Sequence, residues 1–564
     1  MPRPLPRLAA IALLMASLLP LPLHAENGQA GAYLAARQAS LRNDFAEAAK
    51  WYDRVLLSDP ANPALLEGAA GSHLAMGQIT EAATSGRALL AGGTRNQIAY
   101  LAVLTANAQA GDFAKVLADQ ADGNTIGALI DRLMVAWAKV GTGNMTAALT
   151  DFDAIIATTG TGAFGIYHKA LALAASGDFE GADRLLSGPD AAPALQLRRA
   201  VLAHVQILSQ LERSPEAVAL IDKAFGTRPD PGMVDLRRRL VAGETLPFDT
   251  ARNATDGMAE VFFTLATALN DQADQTYVLL YVRAAAALRP DHVEAQLMAA
   301  GILDKLERYE LAFEVLAKVP PTDPAYIAAR IGQADAAIRL GRIDESVAIL
   351  QKLVVLKPDD ISAQTALGDA LRRQDRCDLA IPAYSAAIAL VPTPEPGNWP
   401  LFYKRAGCEF QTDNWPRAEA DFRRALALAP NEPRLLNELG YSYVDRGENL
   451  IEALDMIQRA VAASPETGYI VDSLAWAYYR LGRFQEAVAP QEKASRLMPV
   501  DPIVTDHLGD IYWQVGRKRE AQFQWRRALS FNPDDKEKPR IQRKIEVGLD
   551  IVLQEEKDAK GNGN

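Results

Sequence analysis

The sequence holds 564 residues with a formal net charge of −11, and 49% of it is hydrophobic against 23% charged. That length exceeds what one hydrophobic core supports, so several domains or a repeat array are required, and the apolar share excludes a disordered chain. The acidic balance repels phosphate backbones, so nucleic acid is not an expected partner.

The chain opens on a secretory pattern. Arg3 and Arg7 precede an apolar stretch over residues 8–23, and Leu23-His24-Ala25 places a small residue before Glu26. The reading is a cleaved signal peptide at 1–25 and a periplasmic mature protein. Pro20 and Pro22 and the short apolar length argue against a retained anchor, since a span needs about 20 residues. No other stretch of the sequence is apolar enough to cross a bilayer, and no cysteine near the cut offers a lipid attachment point.

Residues 26–231 carry worn marks of a helical hairpin repeat. Phe45, Ala48, Tyr52 and Pro60 form one unit, Gly77 with Ala82 another, and Gly111-Asp112-Phe113, Gly143 with Ala148, and Gly177-Asp178-Phe179 with Ala182 continue it; Ala217, Ala224 and Pro229 end the run. The apolar set Leu101, Ile130, Leu133, Trp137, Phe164, Tyr167 and Leu171 is expected in the core. Residues 232–258 break the period, with Arg237-Arg238-Arg239, Gly243, Pro247 and Asn253; they are expected as a joint or a diverged half-repeat.

From 259 to 535 the repeat is clear. Pro290, Pro324, Pro358 and Pro392 are spaced by 34 residues, and Pro430, Pro465, Pro499 and Pro533 continue the series after an insertion at 393–398. Each proline ends a helix, because it lacks an N–H and clashes with the preceding turn. Ala380, Ala418, Ala453, Ala487 and Ala521 recur twelve residues before these prolines, Ala387, Ala425, Ala460, Ala494 and Ala528 five before, and Leu367-Gly368, Leu439-Gly440, Leu474-Ala475 and Leu508-Gly509 mark the partner helix. Small residues let two helices approach closely where there is no large core. Residues 536–556 read as an amphipathic helix capping the last repeat, and 557–564 as a polar tail.

With these positions, residues 29–535 resemble the tetratricopeptide repeat, whose unit is 34 residues long. The resemblance implies an all-α superhelical solenoid of antiparallel helix pairs. In such a unit the first helix lines a concave groove through positions 2, 5, 9 and 12, while 4, 7, 8 and 11 turn to the core. Phe402, Tyr443, Tyr478 and Tyr512 fall on core positions. Tyr441, Tyr469, Trp476, Tyr479 and Trp513 fall on the groove, joined by Arg434, Asn437, Asp472, Asp506 and Asp510. Aromatics with a few polar groups are the makings of a binding hot spot. One Arg and one Asn against three Asp do not make a clamp for a terminal carboxylate, so a neutral or basic extended segment is the expected partner.

The two cysteines stand at the start of one second helix (Cys377) and in the later half of the next first helix (Cys408). Those regions lie side by side in antiparallel packing, so a disulfide is expected.

Catalytic and metal patterns such as HExxH, CxxC, GxSxG or a phosphate loop do not occur in the sequence, so neither an enzyme nor a cofactor is expected. Leu436-Asn437-Glu438-Leu439-Gly440-Tyr441 with Asp445-Arg446, and Val471-Asp472-Ser473-Leu474-Ala475-Trp476 with Tyr479-Arg480-Leu481-Gly482, resemble the C-terminal repeats of proteobacterial envelope proteins. That family includes outer-membrane lipoprotein adaptors that bring cell-wall hydrolases to a carboxyl-terminal processing protease. The resemblance implies a periplasmic scaffold or adaptor for envelope proteins; a scaffold of a polysaccharide synthesis or export complex is the alternative.

Overall fold

The computed structural model describes residues 29–226 and 231–561. The signal segment, Glu26 and Pro229 lie outside them. The described residues form 31 α-helices and no strand. They divide into two compact units, Met1–Ile349 and Leu350–Asn564.

The first unit begins as antiparallel pairs, from Gln29–Leu41 with Phe45–Leu56 to Arg198–Gln210 with Ser214–Phe225. Its distinguishing feature is the hairpin Ala254–Leu269 and Gln275–Leu288. The first helix of that hairpin packs on Ala128–Gly141 and Gly162–Ala175, and the second on Pro63–Met76 and Gln97–Gln109. All four of these helices open their pairs, so the hairpin fills the inner row of the repeat. Gly257 permits this, because a Cβ there would meet the Trp137 ring at 2.3 Å. Tyr167 Oη donates to Glu260 at 2.9 Å, and the Gln97 amide reaches Tyr277 Oη at 2.6 Å. Burial alone would raise the Glu260 carboxyl, but Arg199 and His292 hold it well below the ordinary range. Leu101, Leu133, Trp137, Tyr167 and Leu171 are accordingly buried.

Residues 232–258 sit inside this unit, whose boundary falls only after Ile349. The helix Pro231–Val241 buries Met233 and Leu240 beside Ile221. The loop after it is strapped to Arg198–Gln210: the Leu246 N–H donates to Ser209 Oγ at 2.8 Å, and Gln206 Oε1 accepts from the N–H groups of Asp249 and Thr250. The broken period here marks the chain turning back across its own repeats.

The second unit is a plain succession of pairs: Ile361–Arg372 with Cys377–Ala389, Trp399–Gln411 with Trp415–Leu428, Pro433–Arg446 with Leu450–Ala463, Gly468–Arg480 with Phe484–Leu497, and Pro502–Gln514 with Lys518–Ser530. The repeated small residues do what their spacing implies. A Cβ on Gly509 would strike the Trp525 ring at 2.4 Å, so the glycine lets the largest side chain of the second helix seat fully. Cys377 and Cys408 are joined, with Cα atoms 4.9 Å apart.

The cap differs from one amphipathic helix. It is two helices, Lys538–Val547 and Leu549–Gly561, broken at Gly548. Gly548 has φ +87°, and a Cβ there would meet the Trp513 ring at 2.5 Å, so both the backbone and the neighbour require glycine. The second helix carries on through most of the expected polar tail.

Candidate partner-binding groove

First helices of consecutive pairs in the second unit touch one another, Ile361–Arg372 with Trp399–Gln411, Pro433–Arg446 with Gly468–Arg480, and Gly468–Arg480 with Pro502–Gln514. They therefore form the inner row of the curve. Steps of three and four residues put positions 2, 5, 9 and 12 of each on one stripe.

At Pro433–Arg446 the stripe carries Arg434 exposed, Asn437 at 5% exposure and Tyr441 half-buried. Asn437 Oδ1 has no hydrogen-bond partner. Burial, and then the charge of Asp472, push the Tyr441 phenol upward. Beside them Glu438 is exposed, yet the walls around it lift its carboxyl above the ordinary range, with Arg434 opposing. At Gly468–Arg480 Tyr469 is 46% exposed. Trp476 stacks on Tyr479 at 4.5 Å and on His507 at 3.9 Å between ring centres. Burial, and then the nearby Asp510, raise the Tyr479 phenol, with Arg540 opposing.

The acidic members of the stripe are engaged internally, which corrects the expectation that they face a partner. Asp472 is 6% exposed and accepts from Gln491 Nε2 at 2.5 Å, with His507 Nδ1 at 3.1 Å. Burial works against the His507 imidazolium, but Asp472 outweighs it and the histidine is raised. Asp506 and Asp510 are covered by the cap: Lys544, itself fully buried, donates to Asp506 at 2.6 Å and to both oxygens of Asp510 at 2.8 Å. Trp525 Nε1 adds a bond to Asp510 at 2.8 Å. Desolvation, with the charge of Asp510, still pushes Asp506 up to about 6. Trp513 is likewise a cap contact, half-buried against Gly548 and donating to Asp550 at 3.0 Å. The reason for Asp506, Asp510 and Trp513 is that the two cap helices follow the last repeat and cover the face that a further repeat would have covered.

Of the core-position aromatics, Phe402, Tyr443 and Tyr512 are buried and Tyr478 is half-buried. Two groove residues escape the sequence reading. Tyr403 and Phe410 occupy positions 5 and 12 of Trp399–Gln411, half-buried and 40% exposed respectively. The phase that places Phe402 in the core places these on the stripe, once the insertion at 393–398 is counted. The histidines are packing and hydrogen-bonding residues, as His73 with Asp53, His168 with Trp137 and His204 with Asp183 illustrate.

Comparison with known proteins identifies the repeats of the second unit. Residues 365–433 and 437–502 match one tetratricopeptide repeat model, and 506–535 match a second. The chain is similar to the TPR repeat-containing protein PA4667 of Pseudomonas aeruginosa, 32% identical over 110 residues, which is 20% of this chain and 18% of that relative's length. Among solved structures it aligns with the APC/C hetero-tetramer Cut9–Hcn1 at 14% identity, covering 96% of this chain and 99% of that one, with a TM-score of 0.37. Yeast Tom70 aligns at 14% identity over 93% and 96% of the two chains, with a TM-score of 0.32. From residue 365 to residue 535, the helix pairs that build the groove are tetratricopeptide repeats.

Proposed function

We propose that the protein is a periplasmic scaffold that holds an extended, largely uncharged segment of an envelope protein along the inner row of its second unit, and so adapts that partner to another component. The observation that carries this reading is the aromatic row on successive first helices: Phe410 and Tyr469 at 40% and 46% exposure, with Tyr403, Tyr441, Trp476 and Tyr479 half-buried around them. Rigid aromatic rings give large contact area at low entropic cost, the composition of binding hot spots. With Asp472, Asp506 and Asp510 already compensated, Arg434 and Glu438 leave this part of the row near neutrality, which favours the uncharged end of the expected partner range.

The test is a photo-reactive residue at Tyr469 in living cells, compared with one at Phe523, which is 64% exposed on a second helix. Crosslinks to an envelope protein should form at Tyr469 and not at Phe523. The purified partner should bind the Phe410→Ala/Tyr469→Ala double variant at least about tenfold more weakly, with its melting temperature little changed. Equal crosslinking at Phe523, or a cytoplasmic chain that retains Met1 in place of a mature chain beginning at Glu26, would defeat the reading.

A further inference from the structure

The first unit holds a cavity of about 390 Å³ whose lining is unusual for a repeat interior. Arg283, on the second helix of the inserted hairpin, lines it at 6% exposure. Its Nε donates to the Ala75 carbonyl at 2.8 Å. Among the described residues no carboxylate pairs with its guanidinium; Glu314 acts on it only at longer range, and burial pulls it down to about 10. A buried cation with no counter-ion is costly, and an occupant that brings negative charge would remove the cost.

Three further features of the same cavity suit an anion. The helix Ile79–Ala91 begins at its wall, and Ile79, Thr80 and Glu81 line it. No side chain caps that helix, because Gln78 turns its amide to His73 Nδ1 at 2.7 Å instead. Its first N–H groups and the positive end of its dipole are thus left to the cavity. Lys318, exposed in the turn after Tyr309–Leu316, also lines it. Gln296 is 4% exposed and spends its amide nitrogen on the Pro290 carbonyl, while its Oε1 has no partner. Glu81 is the acid in the lining, and it is exposed.

We propose that this cavity binds a phosphate-class oxyanion, taken by the Nη atoms of Arg283, the Nζ of Lys318 and the opening N–H groups of Ile79–Ala91. The planar guanidinium offers two parallel donors to one phosphate. A phosphate brings up to two negative charges and several acceptor oxygens to these donors, where a simple carboxylate brings one charge. The site is independent of the partner groove, which belongs to the second unit.

The test titrates inorganic phosphate into the full chain by calorimetry, with acetate and chloride at equal ionic strength. The wild type should bind phosphate in preference to both. Arg283→Met should fold at least as well without ligand, since it removes the uncompensated charge, and should show no phosphate heat. Lys318→Ala, on an exposed turn, should keep the wild-type melting temperature and bind roughly tenfold more weakly. No phosphate binding by the wild type, equal binding of acetate, or wild-type affinity in Lys318→Ala would each overturn the proposal. If Arg283→Met failed to fold, Lys318→Ala would decide alone.

Discussion

Replacing Lys544 by methionine tests how the cap is held. The substitution keeps the stem and removes an ammonium that contacts Asp506 and both oxygens of Asp510. Losing one partner of a buried ion pair ordinarily costs about 3–5 kcal/mol. Protonation makes this loss depend on pH. A stranded carboxylate escapes by taking up a proton, which costs about 1.4 kcal/mol for each pH unit above its value in the wild-type fold. For Asp506, pushed up to about 6 in the fold, that route costs about 1.4 kcal/mol at pH 7 and almost nothing at pH 5. Asp506 is the one to protonate, since burial and the charge of Asp510 already push it upward, while Asp510 keeps Trp525 Nε1. The wild type has its own slope of the same sign. Asp506 and His507 are both raised on folding, so the stability they contribute is full below their unfolded values and is lost as pH rises through the folded ones. Urea unfolding followed by tryptophan fluorescence, run on both chains at pH 7 and pH 5, reads the difference. Lys544→Met should lose more stability at pH 7 than at pH 5, by about 1–1.5 kcal/mol. An equal loss at both pH values, or a loss under about 1 kcal/mol at pH 7, would refute the reasoning.

In the second unit, the bond between Cys377 and Cys408 closes a loop with a sequence separation of 31, so its reduction should cost about 3–4 kcal/mol in the chain-entropy model. Thiol labelling of the unreduced, denatured chain should find no free thiol; two labelled thiols would remove the bond from the account. In the first unit, Gly257→Ala should destabilise by about 1–2 kcal/mol in thermal unfolding, because overpacking against Trp137 exceeds the helix-propensity gain of about 1 kcal/mol. A higher melting temperature would show that the Trp137 ring yields easily.

What the sequence could carry was local. Prolines at the ends of helices and glycines or alanines at the crossing points act within one hairpin, so their spacing is legible without tertiary knowledge. Gly509 under Trp525 and the adjoining helices of Cys377 and Cys408 are cases of this kind. The groove stripe was legible in phase but not in exposure. Periodicity says that Asp506 and Asp510 share a face, whereas only the packed cap says that Lys544, 34 residues beyond Asp510, covers that face. The same limit applies in the first half, where the Gln97 and Tyr277 partners stand 180 residues apart. A repeat pattern holds no record of a later hairpin returning to fill the inner row.

That difference assigns different work to two copies of one architecture. In the first unit the inner row is closed by the hairpin of Gly257 and Glu260, so the aromatic and apolar side chains it packs against contribute to stability, and their truncation should register as unfolding. In the second unit the inner row from Ile361–Arg372 to Gly468–Arg480 is left uncovered by the cap, which stops at the charges of Asp506 and Asp510. Aromatic rings on an uncovered row that the fold itself does not bury have a cost in water unless something else covers them. Phe410 and Tyr469 are the most exposed rings of that row, and their removal should therefore change binding before it changes stability. The opposite ordering is expected at Trp137, which is fully buried.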